Sequence, residues 1–96
     1  MPHGCLAVDT DDSIARLDQE TRLFVATTAA RRSELELRGA AAFTAVTQSL
    51  MDLGADLRIV DLSARAIAEE IDHSGIYLSV AHAYAGEEWP APRRCV

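Results

Sequence analysis

Apolar positions along the chain recur at three- and four-residue intervals, the spacing of one face of a helix. Ile14, Leu17, Thr21, Phe24 and Val25 form the first such run. They follow Asp11, Asp12 and Ser13, residues suited to an N-cap and to the first turn of a helix. The pattern predicts an amphipathic helix to about Ala30. "TTAARRSE" leaves two readings open: Ser33 caps a new helix, or the first helix runs through unbroken. The next stretch, "ELELRGAAAFTAVTQSLMDLG", closes its apolar side with Leu50, Met51 and Leu53 and meets a natural stop in Gly54. Asp56 then caps a third, longer helix from about Leu57 to Ala85, with a stripe of Val60, Ala64, Ile67, Ile71, Leu78 and Ala81. Gly86, Pro90 and Pro92 end it. There is no alternating strand pattern, low-complexity run or tandem repeat, so the expected fold class is all-α. The expected organisation is a flexible arm over residues 1–10, a helical domain over 11–86 and a tail over 87–96, with Trp89 available to fold back on the bundle.

Composition sharpens one point. A chain of 96 residues makes one domain, and 49% of it is hydrophobic, yet only 5% is aromatic and much of the rest is alanine. So short a chain buries only about 60% of its surface, and alanine removes little area from water. Self-association is therefore expected. The net charge of −6 argues against a nucleic-acid backbone or an anionic membrane as the main partner. Arg31-Arg32 and Arg93-Arg94 are only pairs and read as solvated charge. No run approaches the roughly 18 apolar residues of a membrane span, and no basic region followed by an apolar run opens the chain. A cytoplasmic protein is expected. Cys5 and Cys95 lie near opposite ends without CxxC spacing and read as reduced thiols, with a disulfide joining the termini as the alternative.

The candidate chemistry lies in two helices. Positions 36, 40, 43, 47 and 50 share one side, which sets the Glu36 carboxylate in an apolar seam. Glu70 lies on the row 63, 67, 70, 74, 77, 81 and 84, His73 is one turn on, and Tyr77 follows at i+4 from His73. A carboxylate buried among packing residues must protonate, pair or bind a cation. Carboxylate oxygen and imidazole nitrogen are ligands that iron and manganese accept readily. Each residue also has a plainer reading. Ser33-x-x-Glu36 matches a capping box. Glu70 and His73 match a surface pair beside Glu69 and Asp72, and Tyr77 matches ordinary packing. Phe24 and Phe43 read as core, Glu34 as solvated, His82 as surface or interface, and His3 as part of the arm.

The stretch from Glu36 to Gly86 resembles the ferritin-like superfamily of di-iron carboxylate bundles, in particular small bacterial members written E-x6-F and [DE]-E-x-x-H-[AS]. Here the motifs read "ELRGAAAF", with Glu36 seven residues before Phe43, and "EEIDHS", followed by "VAHAYAG". The likeness covers about half the chain. It implies a helical hairpin holding metal through Glu36, Glu70 and His73. One departure matters: the family site takes a Glu from each of two helices and a Glu-x-x-His from each of two others, whereas this chain has one copy of each. A two-fold homodimer completing a four-helix bundle resolves the count. The resemblance then implies two irons per dimer, manganese being an alternative. Glu70 would bridge the metals, with Glu36 and His73 as terminal ligands. Glu69 or Asp72 would orient the imidazole, and Tyr77 would line the site. The implied chemistry is Fe(II) oxidation with O2 or peroxide. The competing expectations are a non-catalytic helical dimerisation protein and a subunit or cargo of a larger assembly.

Overall fold

The computed structural model describes residues 12–86. The expectations for the arm, the tail, His3, Cys5, Trp89 and Cys95 lie outside the described residues. Within them the chain is all-α: a single turn α1 (Asp12–Ala15), then α2 (Gln19–Asp52) and α3 (Leu57–Ala85), which fold back on each other as a hairpin. No strand occurs among the described residues, and none of their helices is long and apolar enough to cross a membrane.

The helix starts differ from the expected ones for a local reason. Asp18, in extended conformation, accepts a 2.6 Å bond from the Thr21 N–H and so caps α2 at Gln19. The run from Ile14 is therefore interrupted, and Asp12 opens only a four-residue turn. No second interruption follows. α2 passes through "TTAARRSE" as one helix of 34 residues, the unbroken alternative. Ser33 is buried inside it and is not a cap, which removes the capping-box reading of Glu36.

The turn behaves as the sequence predicts. Gly54 takes a φ of 69°, while the Ala55 N–H bonds to the Leu50 carbonyl and the Gly54 N–H to that of Met51. This is a Schellman closure, which needs a residue tolerant of the left-handed region after the helix. Asp56 caps α3 by accepting the Arg58 N–H at 2.8 Å. Gly86, at φ 61°, ends it.

The seam between α2 and α3 is built from small residues. α2 contributes Ala26, Ala29, Ser33, Ala40 and Thr47, and α3 contributes Ser63, Ser74, Gly75, Leu78, Ala81 and Ala85. Hydroxyls pin the two helices at two levels. The Ser33 hydroxyl donates to the Ser74 carbonyl at 2.8 Å, and the Ser74 hydroxyl donates to the Ser33 carbonyl at 2.9 Å. Farther along, the Thr47 and Ser63 hydroxyls lie 2.6 Å apart. Small side chains let the backbones approach closely enough for a serine on one helix to reach a carbonyl of the other.

Bulky side chains are displaced outward by the same arrangement. Phe24 and Phe43, expected in the core, are 71% and 38% exposed, because the inward positions beside them are taken by Ala26, Ala40 and Thr47. The expected α3 stripe is likewise rotated. Leu78 and Ala81 are buried, Val60, Ile67 and Ile71 are half-buried, and Ala64 is exposed. Leu35, Val46, Ile59 and Leu62 also face outward. Large apolar side chains therefore remain exposed on this hairpin.

The reciprocal serine pair predicts a measurable stability. Ser74→Ala removes a buried donor to the Ser33 carbonyl and should cost about 1 kcal/mol, or about 4–8 °C in melting temperature for a domain of this size. Thermal unfolding followed by far-ultraviolet circular dichroism at fixed protein concentration checks it. An unchanged melting temperature would show that the pair does not hold the seam.

Candidate metal centre

Glu36 and Gly39 lie one turn apart on α2, and Glu70 and His73 lie one turn apart on α3. The hairpin brings these turns side by side. His73 Nδ1 stands 3.8 Å from Glu36 Oε2 and 4.0 Å from Glu70 Oε1. One ligand atom from each of Glu36, Glu70 and His73 lies within 4.8 Å of the other two, forming a cluster with metal-ligand chemistry. Accessibility rises across the cluster: the side chains of Glu36, Glu70 and His73 are 13%, 24% and 51% exposed. The site is thus deepest at the carboxyls and opens toward solvent at the imidazole.

The two carboxyls act on each other. A hydrogen bond from the Glu70 side chain holds Glu36 below its ordinary range, helped by the Arg32 guanidinium and opposed by burial. The same bond to Glu36, reinforced by burial and by the Glu36 charge, pushes Glu70 up. Of the two, Glu70 is the more readily protonated and Glu36 the more readily ionised. Arg32 Nε donates to Glu36 Oε1 at 3.2 Å, and its guanidinium carbon lies 5.8 Å from the centroid of the Tyr77 ring. Arg32 is therefore both the counter-charge of Glu36 and the link through which Tyr77 joins the site.

Comparison with protein-family models, curated proteins and solved structures finds no match. The site must be read from its own atoms. Bonds of about 2.1 Å from a metal to oxygen or nitrogen put neighbouring ligand atoms about 3 Å apart, closer than the 3.8 and 4.0 Å seen from His73 Nδ1 to the two carboxyls. Two carboxylates and one imidazole suit iron or manganese. Three protein ligands leave an octahedral ion with coordination positions to fill.

Of the residues singled out in the sequence, Glu36, Glu70 and His73 converge, and the half-buried Tyr77 lies beneath Arg32. Glu69 is exposed and Asp72 half-buried, both outside the converging group. His82 is half-buried, with both ring nitrogens shielded from solvent and without a hydrogen-bond partner among the described residues. Arg32, read from the sequence as solvated charge, instead pairs with Glu36; it precedes Glu36 by four positions, the spacing of a helix ion pair, which was a usable signal. Gly39 was not singled out, and its one signal was a glycine in a helix interior.

Next to the cluster, Phe24, Leu35, Ile76, Tyr77 and Val80 line an apolar groove of about 760 Å³, edged by Arg31 and Arg32. Its link to the cluster is Arg32, which both edges the groove and bonds to Glu36.

The opposed shifts of Glu36 and Glu70 set a pH signature for the metal-free protein. The raised Glu70 contributes stability below the ordinary glutamate value of 4.5 and loses it as pH rises through its folded value. The lowered Glu36 behaves oppositely, contributing above 4.5 and losing its share as pH falls through its own folded value. Above the raised folded value of Glu70 both carboxyls are charged and face each other. Glu70→Gln keeps a neutral donor to Glu36 at every pH. With chelator present, its melting temperature should exceed that of wild type at pH 7, and the gap should close near pH 4.5. Parallel profiles would mean that the carboxyls do not act on each other.

Proposed function

We propose that this chain is a metal-binding half-bundle, whose Glu36, Glu70 and His73 combine with those of a second copy to hold two irons for oxidation of Fe(II) with O2 or peroxide. The observation that carries the reading is the convergence of two carboxyls and an imidazole from two helices at one partly shielded point. The incomplete ligand set supports a second copy. So does the groove beside it, because a matching hairpin laid on that side would cover Phe24, Leu35 and Ile76 while bringing three further ligands. In this arrangement Glu36, Glu70 and His73 of each copy would hold the metals through two carboxylates and an imidazole. A bound metal pair would supply the redox chemistry. The chain's own residues fix ligand positions, shield the carboxyls and place the Tyr77 phenol nearby. Binding of a cation requires Glu36 and Glu70 to be ionised and Arg32 to yield its place on Glu36.

A second reading is favoured by one observation. Arg32 already sets a positive charge against Glu36 without metal, and Glu70 is the more readily protonated partner. The cluster would then be a polar element of a helical dimerisation scaffold, on its own or as a subunit or cargo of a larger assembly.

Anaerobic loading with Fe(II) separates the two. The metal reading expects about one iron per chain by elemental analysis, a dimer by sedimentation and a melting temperature that rises with iron. Glu70→Ala and His73→Ala should lose both the iron and the rise. The scaffold reading expects no iron, and Glu70→Ala melting at or above wild type because an acidic group has left the seam.

A further inference from the structure

Glycine is the least favourable helix residue after proline, yet Gly39 sits deep inside α2, followed by Ala40, Ala41 and Ala42. Its backbone gives no reason for it, since only Gly54 and Gly86 take positive φ among the described residues. The neighbouring helix does. A Cβ placed on Gly39 would come 2.8 Å from Glu70 Oε2, 3.5 Å from its Cδ and 3.8 Å from its Cγ. The first distance is shorter than carbon and oxygen tolerate without a shift. The group that must move is the end of a flexible, half-exposed side chain and not backbone, so an added methyl would be accommodated by the Glu70 carboxyl swinging away.

We propose that Gly39 is a positioning residue for the metal centre: its bare Cα leaves a notch in α2 that seats the Glu70 carboxyl beside Glu36. The inference rests on the metal reading for its consequence, but the notch itself is a property of the metal-free chain. Gly39 lies one turn beyond Glu36 on the same side of α2, so the carboxyl seated there lies against the helix that carries its fellow ligand. A larger residue at position 39 leaves both ligands chemically intact and separates them.

Gly39→Ala tests this because it should not harm the fold: alanine is the better helix former, and Glu70 has room to rotate outward. The metal-free variant should melt at or above the wild-type temperature. Its affinity for Fe(II), titrated anaerobically, should fall about ten- to a hundredfold, the range for residues that orient metal ligands. Glu70→Asp, alone and combined with Gly39→Ala, completes a double-mutant cycle. If both changes act through the seating of one carboxyl, their losses in affinity combine to less than the product of the two. Undiminished Fe(II) affinity in Gly39→Ala, fully multiplicative losses, or a lowered melting temperature with affinity intact would overturn the proposal. Its failure is distinguishable from failure of the metal reading. Metal-free wild type should show a nuclear Overhauser contact between Gly39 Hα and Glu70 Hγ, and absence of that contact removes the notch whatever the metal result. Wild type that shows the contact but takes up no iron keeps the notch as a seat for Glu70 and overturns its metal role.

Discussion

Close approach of α2 and α3 is the constraint on which the rest of the structure depends. Apart from Leu78, the seam is made of alanine, serine, threonine and glycine, so little side-chain bulk separates the helix backbones. Reciprocal bonds between Ser33 and Ser74 fix the relative height of the helices, and the Thr47–Ser63 contact repeats the tie nearer the turn. Only at that separation can carboxyls from opposite helices act on each other through a hydrogen bond. Only there does a missing Cβ at Gly39 decide where Glu70 rests.

The same constraint leaves the hairpin unfinished. A seam of small residues takes little apolar area out of water, since each alanine contributes far less than a leucine would. The larger hydrophobes are held on the outer faces, with Phe24, Leu53, Leu57 and Leu62 among the most exposed. A narrow seam and an uncovered apolar side are two consequences of one choice of side-chain size. The acidic and imidazole groups lie at the edge of that seam, where one helix pair meets the surface that a further pair would cover.

Charge is managed by neighbours rather than by solvent alone. The Glu70 side chain and the Arg32 guanidinium both favour the ionised form of Glu36, while the Glu36 charge and burial favour the protonated form of Glu70. An exposed i, i+4 ion pair is worth little in water, but here one partner is mostly shielded and the other covers an aromatic ring. Arg32 thus occupies, at the rim, a role that a cation would take at the centre. The two proposed functions differ in which positive charge finally faces Glu36.

The sequence by itself determined the features that depend on residues close together in the chain. Helical periodicity made the fold class legible, and Gly54, Asp56 and Gly86 marked the turn and the ends of α3, because caps and stops act within one turn. The i, i+3 spacing placed Glu70 and His73 on one face, and of the row read as lining the seam with Glu36, Ala40 and Thr47 are buried while Phe43 is exposed. Periodicity states which residues share a face, and the tertiary structure decides what that face meets. It alone showed that Ser33 bonds across the seam instead of capping a helix, and that Phe24 and Phe43 turn outward. It alone matched Gly39 to Glu70, thirty-one positions away, because the distance between groups on opposite helices follows from their relative height and separation, which no local pattern encodes.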